Sequence, residues 1–228
     1  MTVRNELLSD ARLQAEAERC LNCATTPCAD ACPAHCSPAH FLAAVRGGRP
    51  EDLRRGATLI LAANPLGGVC GVVCPDTHCM AGCVRSALDR PIEIPAAQAT
   101  IVTRARQLGV APAFDRAAPS GRRVAVVGGG PAGLGAAAVL AQRGHRVTIF
   151  DAGTAGGMAR SIPDFRLARE ILDDDLAFVL GLGEVELVRR RVDDPESLRR
   201  EDYDAVIVAT GRQRPLALGV PGEETAVV

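Results

Sequence analysis

The chain has no tryptophan, one tyrosine and five phenylalanines among 228 residues. Platforms that stack nucleic-acid bases are built from aromatic side chains, so this scarcity argues against single-strand binding. Excess charge is missing too. Twenty-six basic residues stand against 27 acidic ones, with no basic arm or patch, and no nucleic-acid partner is expected. The opening stretch, MTVRNELLSDARLQAEAERC, has no apolar segment of signal-peptide type. The most apolar run, Leu59 to Cys74, is broken by Asn64, Pro65 and paired glycines, and cannot cross a bilayer as a regular helix. No Ser/His/Asp or Cys/His arrangement points to a nucleophile or a general acid–base pair. The expectation is a soluble, cytoplasmic protein whose thiols stay reduced.

What is abundant is cysteine, and only in one place. All nine cysteines lie between Cys20 and Cys83, and none follows. The stretch RCLNCATTPCADACP, Arg19 to Pro33, spaces four of them as C-x2-C-x4-C-x3-C-P, with Cys36 four residues on. A second group, Cys70, Cys74, Cys79 and Cys83, lies in GGVCGVVCPDTHCMAGC. Three explanations compete. Disulfides fit poorly with an odd number of thiols and no secretion signal. Structural zinc favours paired C-x2-C knuckles, and only Cys20/Cys23 has that spacing. Iron–sulfur ligation fits better, because the x3-C-P ending matches the bacterial-type run whose last cysteine serves the other cluster. Cys20, Cys23 and Cys28 can supply three thiolates from one tight loop, and a distant residue the fourth.

Element patterns divide the chain in two. In the first half, Asp10–Cys20, SPAHFLAAV with Ser37 as N-cap, PEDLRRGATLILAAN and PAAQATIVTRARQLG predict helices, with the cysteines on loops and turns between them. Residues 109–122, rich in Pro, Ala, Ser and Gly, predict a linker. In the second half, RVAVVG, HRVTIFD and DAVIVATG predict strands, and PAGLGAAAVLAQRG and REILDDDLAFVLGLG predict helices. Such alternation implies a parallel sheet. The expected architecture is a helical domain over 1–108, then a Rossmann-like domain with a parallel sheet from 123 to 228.

Between the first strand and helix lies VAVVGGGPAGLGAAAVL, a G-x-G-x-x-G formed by Gly128, Gly130 and Gly133. Gly128 allows the tight turn, Gly130 lets backbone approach a pyrophosphate, and Gly133 lets helix and strand pack closely. Pro131 and Ala132 open the helix, whose N-terminus offers oriented N–H groups to phosphates. Asp151, 23 residues after Gly128, is placed for a ribose 2′-OH. The fingerprint alone does not separate FAD from NAD(P).

Taken together, RCLNCATTPCADACP, NPLGGVCGVVCP, CMAGC and PIEIPAAQ resemble the iron–sulfur domain of the glutamate synthase small-subunit family. That family includes the NADPH-side portion of dihydropyrimidine dehydrogenase. The resemblance implies two [4Fe–4S] clusters. One would be held by Cys20, Cys23, Cys28 and Cys83. The other would be held by Cys32, Cys74, Cys79 and the amide oxygen of Gln98. A neutral ligand in place of a thiolate would shift the second cluster's potential. Cys36 and Cys70 match no ligand and are expected to be bystander thiols. His35 and His78 are not expected to bind metal.

In the second half, GTAGGMARSIPDFRL and DAVIVATGRQRP resemble the flavin-contacting stretches of the same family. They imply FAD, with Gly156, Gly157, Arg166, Thr210 and Gly211 as further contacts. The resemblance implies an electron-transfer oxidoreductase subunit. It would relay electrons between NAD(P)H-reduced FAD and another redox subunit through the two clusters. Leu218 to Val228 falls where family members cross into a nicotinamide domain, so NAD(P)H is expected to bind outside this chain. Flavin retention by the isolated chain is then expected to be weak. A non-catalytic iron–sulfur module and a zinc scaffold remain as alternatives.

Overall fold

The computed structural model describes residues 6–212, 217 and 219–221. The stretch Leu218–Val228, apart from 219–221, lies outside the described residues.

The first half is helical: α1 (Asp10–Arg19), α2 (Pro27–Asp30), α3 (Pro38–Ala44), α4 (Pro50–Ala63), α5 (Gly67–Val73) and α6 (Ile94–Gln107). Proline opens α2, α3 and α4, where its missing N–H costs nothing. Ser9 caps α1 through its hydroxyl oxygen, which accepts from the Arg12 N–H at 3.3 Å. Ser37 stands at the N-cap of α3, but its side chain makes no capping bond. The core of this half is aliphatic, with Phe41, Leu42, Ile60, Leu61, Ile101 and Val102 all but fully buried.

The apolar run from Leu59 to Cys74 resolves into the end of α4 and all of α5, bent by 88° to each other. Among the described residues, no single helix is long and apolar enough to cross a membrane. Two cysteines depart from the expected loop positions. Cys28 sits in the one-turn α2, and Cys70 sits inside α5. The sequence of α5, GGVCGVV, has poor intrinsic helix propensity. Tertiary packing overrides it, because Val69 and Val72 are buried between the two halves of the molecule. Gly71 makes this possible: a Cβ there would lie 2.5 Å from the Ala99 backbone nitrogen on α6.

The second half contains β1 (Arg123–Val127), α7 (Pro131–Gln142), β2 (Arg146–Asp151), α8 (Arg169–Leu180), β3 (Val185–Arg189) and β4 (Ala205–Val208). The strands form one parallel sheet in the order β3-β2-β1-β4. Strand β3, VELVR, is absent from the sequence-based expectation. It is a half-exposed edge strand carrying charge, so it lacks the continuous apolar run of a buried parallel strand.

Residues 110–122 hold no helix or strand, yet they do not hang free. Phe114 packs on Phe178 of α8 with ring centroids 5.6 Å apart. Ala117 and Ser120 donate their N–H groups to the carbonyls of Gln142 and Gly144 at 3.0 and 2.9 Å. Helix α5 also packs on α8, and Leu66, Val69, Val72 and Ala99 join the core built around Val126, Leu134 and Ile149. The apolar core of the second half therefore runs on into the first.

Candidate metal and dinucleotide sites

The one-turn helix α2 and the turns after Cys79 bring thiols from distant segments together. Cys20 ends α1, Cys28 lies in α2, and Cys83 precedes a 3-10 turn at Val84–Ala87. These three, with Cys23, line one cavity, closed at its back by Pro38, Leu42 and Ile92. Burial, assisted by repulsion from Cys20 and Cys83, pushes the Cys28 thiol above its ordinary pKa.

A second group gathers beside the first. Burial and then the neighbouring Cys32 push Cys79 up to about 12. Cys74, at the C-cap of α5, is raised by its hydrogen bond to Cys70, by burial, and by the charges of Cys70, Cys79 and Cys32. Cys70 keeps the lower value, about 7, because the Cys74 thiol donates to its sulfur and the Asn64 side chain also bonds to it. Cys36 is buried and lies against Cys32, and burial first, then Cys32, lifts its pKa to about 12. Cys28 also faces Cys79, so the two groups adjoin.

This arrangement crosses the sequence order. Cys83, from the second sequence group, joins Cys20, Cys23 and Cys28. Cys32, from the first, joins Cys74 and Cys79. All nine cysteines are free thiols. Among the described residues, no three His, Cys, Asp or Glu side chains converge closely enough to share one metal ion. A four-iron cluster interposes its own inorganic core and takes its thiolates farther apart. Buried thiols that repel one another stay protonated until a cationic centre compensates their charge. The donor set is soft and sulfur-rich, and it fits iron–sulfur chemistry.

Gln98 lies on α6, buried, and its Nε2 donates to the Gly67 carbonyl at the start of α5 at 2.8 Å. That bond fixes the amide plane and leaves Oε1 as the acceptor. Cys36 and Cys70, expected from the sequence to be bystanders, both lie against the second group.

The dinucleotide residues converge at the carboxyl ends of β1 and β4. Here the strand order reverses, which is where ligands of open parallel sheets bind. Gly128 follows β1 with φ +111°, and a Cβ there would lie 2.3 Å from the Ala209 carbonyl oxygen and 3.0 Å from the Thr210 Cα. The glycine turn and the Thr210 turn are thus in contact. Gly130 is the N-cap of α7, followed by Pro131 and Ala132, both exposed. An added Cβ at Gly130 would meet only the Gly157 Cα, at 3.8 Å, so its face is open to a ligand. The Gly156 N–H donates to the Gly129 carbonyl at 2.8 Å, which seats the Gly156–Gly157 turn on the fingerprint.

Asp151 ends β2 beside this turn. Its Oδ2 accepts from the Gly129 N–H at 2.7 Å and its Oδ1 from the Gly153 N–H at 2.8 Å. The carboxylate therefore braces two loops. Gly211, with φ +70°, follows Thr210 at open surface. Arg166 is different. It stands exposed on the turn after Pro163. Among the described residues, no hydrogen bond or ion pair ties its side chain to the glycine turn.

Comparison with known proteins agrees with this division. Residues 2–110 match the family described as dihydropyrimidine dehydrogenase domain II, 4Fe-4S cluster. Residues 122–228 match the pyridine nucleotide-disulphide oxidoreductase family. The chain is 34% identical, over 86% of its length, to the NAD-dependent dihydropyrimidine dehydrogenase subunit PreT of Escherichia coli K12, covering 48% of that protein. It is 31% identical, over 96% of its length, to the glutamate synthase [NADPH] small chain of the same organism, covering 47% of it. It is 32% identical, over 93% of its length, to the NADPH-Fe(3+) oxidoreductase subunit beta of Geobacter sulfurreducens, covering 32% of it. The chain thus spans about half the length, or less, of the curated relatives it matches.

Proposed function

Because the chain belongs to the iron–sulfur oxidoreductase family of PreT and the glutamate synthase small chain, we propose that it is the cluster-bearing part of an electron-transfer subunit. In this reading, residues 1–108 hold two [4Fe–4S] clusters and residues 123–228 form the first part of an FAD-binding domain. The observation that carries it is the crossed grouping of thiols. Four line one cavity, and Cys32, Cys74 and Cys79 gather next to it.

Cys20, Cys23, Cys28 and Cys83 would hold the first cluster. Cys32, Cys74, Cys79 and the Gln98 amide oxygen would hold the second. Gly128, Gly130, Gly133 and the first turn of α7 would cradle the pyrophosphate of FAD, Asp151 its ribose, and the turns at Gly156–Gly157 and Thr210–Gly211 its flanks. When bound, flavin supplies the exchange between hydride pairs and single electrons, and the clusters supply one-electron carriage. The residues of this chain bind and orient these groups, exclude water from the first cavity through Pro38, Leu42 and Ile92, and tune charge. None need act as a general acid or base.

Relatives are named as subunits, and a second redox subunit is the proposed partner, with NAD(P)H as the proposed electron donor or acceptor. The test is electron paramagnetic resonance of the anaerobically prepared chain during stepwise reduction. Two distinct cluster signals with separate midpoint potentials are expected, the Gln98 site differing from the all-cysteine one. A single signal, or none in an iron-containing sample, would rule out the two-cluster relay.

A further inference from the structure

The sequence REILDDDLAFVL, the helix α8, holds three successive acids. In the structure Asp173 pairs with Arg160, whereas Asp174 and Asp175 share Arg106, at 3.9 and 2.5 Å. Successive helical residues point about 100° apart, so Asp173, Asp174 and Asp175 face three directions. Asp173 accepts from Arg160 Nη2 at 2.6 Å, and Arg160 also donates to the Ala155 carbonyl, next to the Gly156–Gly157 turn. The preceding Leu172 packs on the same turn, 3.1 Å from where a Gly156 Cβ would be. This face of α8 is braced against the dinucleotide site.

Asp175 turns the other way and is fully buried. Its Oδ2 accepts from the Val69 N–H at 2.8 Å and its Oδ1 from the Gly68 N–H at 3.3 Å. Arg106 Nη2, from α6, donates to Oδ1 at 2.5 Å. Burial lifts the pKa of this carboxylate above its ordinary value, but every group facing it is a donor, and Arg106 with the Val69 and Gly68 N–H groups favours its charge. Asp175 therefore caps the first turn of α5 from the other half of the molecule, 106 residues away in sequence from Val69. Gly68 leaves the room: a Cβ there would lie 3.0 Å from Asp175 Oδ1.

The helix it caps leads to the second thiol group. Cys70 lies in α5, Cys74 ends it, and Gln98 bonds to the Gly67 carbonyl at its start. The charge of Asp175 reaches the Cys70 sulfur. We propose that Asp175 is a positioning residue, which fixes the second cluster site from the flavin-side half and, paired with Arg106, holds the charge beside Cys70 and Cys74 neutral. Helix α8 then joins the two redox sites as one rigid strap. The inference rests on the two-cluster reading above.

The test is redox titration of both clusters in the intact chain. Asp175→Asn removes the close partner of Arg106 and leaves it only the exposed Asp174 carboxylate, 3.9 Å away, a net gain of positive charge that favours the reduced cluster. The second cluster's potential is expected to rise while the first stays put. Combining D175N with Arg106→Gln restores neutrality, and the potential is expected to return toward the original value. A merely structural defect would persist or worsen in the double variant. Unmoved potentials in D175N, equal shifts of both clusters, or a double variant shifted further would each overturn the proposal. Should D175N not fold, Asp175→Glu keeps the charge but displaces it. It must then shift the second cluster alone, and an unmoved second cluster would overturn the proposal. A chain that purifies without iron defeats the two-cluster reading itself, a result distinct from iron present at unshifted potential.

Discussion

Replacing Cys28 by alanine is expected to halve the iron of the anaerobically purified chain, from about eight to about four atoms. Cys28 sits in α2 at the cavity it shares with Cys20, Cys23 and Cys83. Removing one thiolate from that set leaves three, while Cys32, Cys74 and Cys79 are untouched. One paramagnetic signal should vanish and the other persist. Cys36→Ala is the control. Cys36 is more deeply buried than Cys28 and lies against Cys32, but it is no ligand in this account, so iron content should hold. Loss of a cluster in C36A, or full iron in C28A, would require a different ligand set.

The second large effect belongs to Gly133. A Cβ at this position would lie 1.9 Å from the Gly128 carbonyl oxygen and 3.2 Å from Val126 Cγ1. Neither neighbour can yield, since one is backbone of the fingerprint turn and the other is buried in β1. Gly133→Ala should therefore destabilise the second half by about 3 kcal/mol, the upper range for forced overpacking. For a chain of this size that corresponds to a fall in Tm of roughly 10 °C. Flavin affinity, followed by fluorescence quenching, should drop with it, because the turn must open to admit the methyl group. Gly135, two residues on in the same helix, has nothing within 4 Å of an added Cβ. Gly135→Ala should be neutral, or stabilising by up to about 1 kcal/mol, through helix propensity. Equal effects at the two glycines would show that the close packing at Gly133 is not what matters.

The two expectations draw on features of unequal legibility. The fingerprint Gly128, Gly130, Gly133 and the acid Asp151 could be read directly, because each follows from a local backbone demand of a strand–turn–helix. The helices α1, α3, α4 and α6 were legible for the same reason, in proline starts and apolar spacing. Three features were not. Helix α5 is glycine-rich and forms only because α6 and α8 bury its valines and Asp175 caps it. Strand β3 is an edge strand with charged residues and shows no buried pattern. Asp175 sits in an acidic run that looks solvated, and only the fold reveals that one of three carboxylates points inward. The crossed cysteine sets were legible only through family resemblance. Spacing alone groups Cys83 with Cys70, Cys74 and Cys79, whereas the fold carries it to Cys20, Cys23 and Cys28. Arg166, taken from the same resemblance, stands exposed on its own turn.

The central claim is that these thiols hold two iron–sulfur clusters in a flavin-linked subunit. Iron, acid-labile sulfide, zinc and flavin measured on one anaerobic preparation test it most directly. The account predicts about eight irons and eight sulfides per chain. Zinc bound without sulfide would contradict it and leave a structural scaffold in place of an electron carrier.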